Sequence, residues 1–218
     1  MSTGRATIVE VDMGAQLTSV EQAGTWLRGA GEDYLRSGLA VLNRALHAFR
    51  LVSADPDLHT VARHQALVAR IGFGAGEQVA DGLWTDAREL VTRRPRERRA
   101  KLLAPQAHLA AVMGGRELAL ACQELALRAR LDLAHGRDRE AALQLLVALD
   151  AALAELSRDP SAPVLKDRLA ELHAQREAVA LASRLALAGP IDEPSRELVA
   201  FTLSRIEAAL RARAVTSA

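Results

Sequence analysis

The chain is short of the residue types that most often announce a chemistry. It has one cysteine, Cys122, in 218 residues, which excludes an internal disulfide and any zinc site built on several thiolates. A reducing compartment suits that usage. Aromatic residues make up 3%, so the core must be assembled from Leu, Ala and Val. Only Lys101 and Lys166 are lysines among 28 basic residues. No stretch approaches the roughly 20 uninterrupted apolar residues of a membrane span. Residues 1–14 contain Glu10 and Asp12 and no apolar run of signal-peptide length. A soluble, cytoplasmic protein with no membrane contact is expected.

Catalytic patterns are missing as well. There is no Gly-x-Ser-x-Gly elbow, no H-E-x-x-H and no Glu-x-x-His, and Asp132-x-x-His135 stands alone where a helical di-iron site needs two such pairs plus further glutamates. Cofactors and metals are therefore not expected, and the balance leans away from an enzyme. Cys122 shares a helical stripe with Leu118, Leu125 and Ala129, which points to burial as a small hydrophobe.

What the chain does have is helix. Half of it is apolar and a quarter charged, an ordinary globular balance. Leu35, Leu39, Leu42, Leu46 and Phe49 recur at spacings that place them on one helix face, as do Ala142, Leu146, Leu149, Leu153 and Leu156, and Val199, Leu203, Ile206 and Leu210. The expected fold is all-α, an antiparallel bundle or array of helical hairpins with about seven to eight helices. A short extended N-terminal segment, 7–13, alternates apolar and polar residues; with no evident strand partner it reads as coil or as pairing with its own copy. Helices are expected over about 18–28, 32–54, 57–71, 85–91, 105–113, 116–135, 138–158, 163–188 and 194–212. Thr18-Ser19-Val20-Glu21 reads as a capping box, and Asp55-Pro56 as a stop and restart. Residues 214–218 are expected to fray. The hairpin 125–148 sets Ala129, Gly136, Ala141, Leu145 and Ala148 near the places of a tetratricopeptide unit. The large aromatic positions are missing and no second copy follows about 34 residues on, so the match reads as helix-turn-helix geometry.

Charge divides the chain. Residues 1–91 hold 8 basic and 11 acidic side chains, and residues 92–218 hold 20 and 16. Between two prolines, residues 92–105 carry the densest charge run, so the expected organisation is an N-terminal half, 1–91, a linker, 92–105, and a C-terminal helical half, 106–218. A single domain formed by both halves is the alternative. Arg93, Arg94, Arg96, Arg98, Arg99 and Lys101 could grip nucleic-acid phosphates, yet no aromatic interleaves them for base stacking. A solvated linker is the plainer reading.

The most unusual stretch is 71–84, Ile-Gly-Phe-Gly-Ala-Gly-Glu-Gln-Val-Ala-Asp-Gly-Leu-Trp. Alternating glycines weaken a helix and signal a special backbone or a close approach. It fits neither the dinucleotide nor the P-loop spacing, and Glu77 and Asp81 would repel an anion. Packing is expected, with Gly72 and Gly76 admitting a neighbouring helix. As a binding surface it would comprise Tyr34, His64, Gly72, Phe73, Gly74, Gly76, Glu77, Asp81 and Trp84. His64, inside the apolar pattern of 58–71, reads as a hydrogen-bonded core histidine and His59 as a surface one. The leading functional expectation is a non-enzymatic interaction or scaffold protein that binds a protein partner or itself through helix faces and 71–84. A small-ligand pocket near Gly72–Trp84 and nucleic-acid association through 93–101 are the alternatives.

Overall fold

A computed structural model describes residues 4–10, 19–90, 109–110, 112–115 and 119–216. The chain divides into two compact units, Met1–Arg96 and Glu97–Ala218. It is mostly helical, with six α-helices and one small two-stranded sheet among the described residues.

The first unit begins with α1, Val20–Gly29. Ser19, not Thr18, is its N-cap, and the Ser19 hydroxyl accepts the Gln22 N–H at 3.2 Å. Glu21 in the first turn and Arg28 in the last both complement the helix dipole. Helix α2, Glu32–Ser53, ends on Ala54, which sits in the left-handed region at φ 51. The Asp55 N–H then closes back on the Arg50 carbonyl at 3.2 Å, a Schellman-type ending that usually recruits glycine.

Beyond Asp55 the expected helix over 57–71 is not formed. Only a single 3-10 turn, Arg63–Gln65, interrupts extended and turn backbone. The reason lies on α2. The Asn43 amide donates to the Val61 carbonyl at 3.1 Å and accepts the Val61 N–H at 2.8 Å. Both backbone groups of Val61 are thereby withdrawn from any helical ladder. His64 falls in the 3-10 turn and is exposed, which overturns the core-histidine expectation.

Strand β1, Arg70–Phe73, and strand β2, Asp86–Glu89, pair antiparallel with Arg70 opposite Glu89 and Phe73 opposite Asp86. The expectation of helix over 85–91 is corrected accordingly, and the fold is not purely α. Residues 4–10 carry no regular secondary structure.

The second unit holds α3, Ala121–Ala134, α4, Asp138–Leu156, α5, Ala162–Ala188, and α6, Glu193–Thr216. Helix α6 continues four residues past the expected end at 212. Residues 109–110 and 112–113 are helical too. Each helix packs on the next, and α6 also touches α3 and α4. Helix α4 lies at the centre, with Ala141, Ala142, Leu145, Ala148, Leu149, Ala152, Leu153 and Leu156 buried. Alternating Ala and Leu allow short interhelical distances with little void. Cys122 and Ala129 from α3, Leu165 and Leu172 from α5, and Val199, Leu203 and Ile206 from α6 complete a core in which each is 0% exposed.

Candidate functional site

In the first unit the 71–84 segment supplies most of strand β1 and the turn of a β-hairpin. Trp84 lies over Gly72: a Cβ there would stand 2.6 Å from Trp84 Cε3, 2.6 Å from the Asp86 carbonyl oxygen and 2.7 Å from Ala87 Cβ. At Gly74 a Cβ would meet a Val79 methyl at 2.8 Å. Close approach by a neighbouring helix is the expectation at Gly72 and Gly76; Gly72 has a close approach, but from the hairpin's own side chains and backbone, and a Cβ on Gly76 would meet nothing within 4 Å. Gly76, at φ 76 and ψ −178, occupies a conformation almost closed to other residues. It starts the 3-10 turn Glu77–Val79. The Trp84 indole N–H donates to the Val79 carbonyl at 3.0 Å, so the ring is fixed across the turn.

Two arginines tie this hairpin to the rest of its unit. Arg88 in β2 donates through Nε to the Leu27 carbonyl at 2.8 Å and through Nη2 to the Ala30 carbonyl, capping the C-terminal end of α1. Arg63 donates to the Leu90 carbonyl at 3.0 Å and lies 3.8 Å from the Glu32 carboxylate.

The expected site residues do not assemble into one place. Gly72, Gly74 and Trp84 come together as described. Phe73 is half-buried, and Glu77 and Asp81 are exposed on the turn. Tyr34 pairs with Trp26, edge to face at 5.4 Å, and its hydroxyl accepts the Trp26 indole N–H at 3.0 Å. His64 is exposed in its separate turn. Arg93, Arg94, Arg96, Arg98, Arg99 and Lys101 lie outside the described residues.

A different feature of the first unit is more distinctive. Of the 22 residues of α2 only Asn43 is buried. The heavy stripe Leu35, Leu39, Leu42 and Leu46 is half-covered, and Phe49 is 60% exposed. A second stripe, Tyr34, Gly38, Val41, Ala45, Ala48 and Val52, runs along the helix at alternating spacings of four and three. Within it Tyr34 is 44% exposed and Val52 86%, and a Cβ on Gly38 would meet open space. The stripe is legible in sequence as a 4-3-4-3-4 pattern, but the heavier leucine stripe masks it. Arg88, Asn43 and Arg63 carry no local signal, because each acts on a backbone group far away along the chain.

The second unit contains the strongest electrostatic cluster. Arg213 in α6 donates to Asp159 at 2.7 Å, with the two side chains only 7% and 10% exposed. Asp159 also accepts the Ser161 backbone N–H at 2.9 Å and its hydroxyl at 2.6 Å. Burial alone pushes the Asp159 carboxyl up, but Ser161 and Arg213 outweigh it and hold it down at about 2. Nearby Glu155 in α4 accepts the Ala121 and Cys122 N–H groups at 3.0 and 2.9 Å. Those bonds and Arg213 likewise outweigh burial and keep Glu155 below the usual carboxylate range. Burial, then the hydrogen bond and charge of Glu155, push the Cys122 thiol up to about 12. A thiol so protonated is a poor nucleophile. The cluster joins α3, α4, α5 and α6 at one end, and each of its hydrogen bonds closes a helix end or a turn.

An open depression of about 500 Å³ is lined by Arg176, Glu177, Ala178, Ala180, Leu181 and Arg184. All six belong to α5, so it is a dip on a helix surface. Arg176 is engaged there by Asp150 through two bonds of 2.7 and 3.1 Å. Among the described residues no group of three His, Cys, Asp or Glu side chains is placed to hold a metal ion, and no helix is long and apolar enough to cross a membrane. Compared with models of known protein families, with curated proteins and with solved structures, the chain matches none.

Proposed function

We propose that this chain is a non-enzymatic interaction protein whose first unit presents a helix face to a protein partner. The observation that carries the reading is the second stripe of α2. A 22-residue helix with one buried residue gains little from its own unit, and isolated helices draw most of their stability from packing an apolar face. Phe49 and Val52, three apart on one side of the helix and 60% and 86% exposed, present an apolar surface of the kind that marks interaction sites. The second unit serves as the scaffold, which we read as an antiparallel bundle of consecutive helical hairpins closed at one end by Asp159–Arg213. Its buried thiol suits a reducing, cytoplasmic setting.

Stability separates this reading from its rival. At a concentration where the chain is monomeric and the face unoccupied, Val41→Asp and Val52→Asp should leave the thermal midpoint of the whole chain within about 2 °C of wild type, because charge on an open helix surface costs little. A drop of many degrees in both variants would mean that the chain itself fills the face, and the interaction reading would be lost. The ligand reading loses support from the Trp84 ring, which lies where a pocket over Gly72 would open.

A further inference from the structure

We infer that the occupant of the α2 stripe is a second copy of this chain, its α2 running antiparallel. This rests on the interaction reading above and names its partner. Tyr34, Gly38, Val41, Ala45, Ala48 and Val52 take the alternating core positions of a heptad seam. The order of sizes along that seam is self-complementary. Turning the helix about a two-fold axis at the level of Asn43 sets Tyr34 against Val52 of the second copy, Gly38 against Ala48, and Val41 against Ala45. Every layer then pairs a larger residue with a smaller one, and Gly38 lets the backbones approach closely. One flank of the seam brings Leu42 beside its own equivalent and Leu35 beside the exposed Phe49.

Area and helix dipoles agree with this pairing. The open surfaces of Tyr34, Val41, Ala45, Ala48, Phe49 and Val52 amount to on the order of 500 Å² per copy, so a pair buries on the order of 1,000 Å², about the lower bound of a specific interface. Antiparallel pairing opposes the two helix dipoles, whereas parallel pairing stacks like on like. An isologous two-fold contact of this kind closes on itself as a dimer. Arg44 is the one residue set beside its own charge, and its long side chain reaches water past the seam.

The experiment uses the full chain. Light scattering after size exclusion at micromolar concentration should give twice the chain mass, and Ala45→Glu should give the monomer, with the thermal midpoint of wild type diluted until it is monomeric. For register, Val41→Cys and Ala45→Cys proteins are oxidised separately and as a mixture. Cross-linked dimer should form in the mixture at least tenfold above either variant alone, and buried Cys122 does not compete. A monomeric wild type in which Val41→Asp and Val52→Asp are as stable as wild type overturns self-pairing while the interaction reading stands. A monomeric wild type whose midpoint both variants lower overturns both. A dimer that survives Ala45→Glu, or Val41→Cys cross-linking to itself, overturns the antiparallel α2 contact.

Discussion

Helices α2 and α5 look alike from the chain, at 22 and 27 residues, and yet they live in different surroundings. In α5, Leu165, Leu169, Leu172, Val179, Ala182, Ser183 and Ala186 are buried, and neighbours lie on both sides in α4 and α6. In α2 one asparagine is buried and the leucines stay half-covered. Apolar periodicity thus specifies that a helix forms and which way it faces, but not whether anything arrives to cover it. The second unit is held by continuous apolar packing. The first is held by a few directed bonds, from Asn43, Arg63, Arg88 and Trp84, around a small core of Ala23, Leu27, Ala30, Ala69 and Leu90.

That contrast can be broken at its strongest point. Arg213→Ala removes the ion-pair partner of a buried carboxylate, and Asp159→Ala removes one partner of a buried guanidinium. Either should cost about 3–5 kcal/mol in chemical denaturation of the second unit. Acid should weaken the same cluster. Asp159 is held at about 2 against about 4 in an unfolded chain. Its contribution is therefore complete above about pH 4 and is lost as pH falls toward about 2. Glu155, also lowered, acts in the same direction. In Asp159→Asn the fall in midpoint between those pH values should be smaller than in wild type.

In the first unit Gly72→Val should cost about 3 kcal/mol, because the clash at 2.6 Å is with the Asp86 backbone as well as the Trp84 ring. Loss of the native Trp84 fluorescence with retained far-ultraviolet helix signal would report local melting of the hairpin. Asn43→Ala should cost about 2 kcal/mol by leaving both polar groups of Val61 unpaired, and amide exchange over 58–66 should accelerate. Smaller still, Ser19→Ala should cost about 1 kcal/mol. Ala54→Gly should instead stabilise by about 0.5–1 kcal/mol, since it relieves a left-handed alanine. If the first-unit substitutions lowered the midpoint of the second unit as much as Arg213→Ala does, the two would not be separate in stability and the comparison would fail.

These elements also mark what the sequence could convey. Helices α3 to α6 were readable because Leu and Ala at helical spacing coincide with clear punctuation at Gly136, Asp159-Pro160 and Gly189-Pro190, and local and tertiary preferences agree there. The hairpin was not. Glycine at 72 and 74 removes the side chains that would reveal alternation, and Asp86-Ala87-Arg88-Glu89 contains no β-branched residue. Its pairing depends on Trp84 seating over Gly72, a fit visible only in three dimensions. The lost helix at 57–71 has a similar origin, since Asn43 decides it from 18 positions away. For the site, sequence identified glycines under close contact but scattered its other members: Tyr34 belongs with Trp26, and His64 with solvent.

The grip of Arg88 on the last carbonyls of α1 has a practical bearing on how the first unit can be dissected. A fragment ending after α2 would carry α1 with its terminal acceptors bare, and one ending after β1 would also leave that strand without a mate, even though every residue of both helices would be present in each. The smallest excisable piece must run through Leu90, whose N–H bonds to Ala69 at 2.9 Å and whose carbonyl holds Arg63. Shorter expression fragments should be caught by proteases within α1, at the opposite end of the piece from the cut that created them.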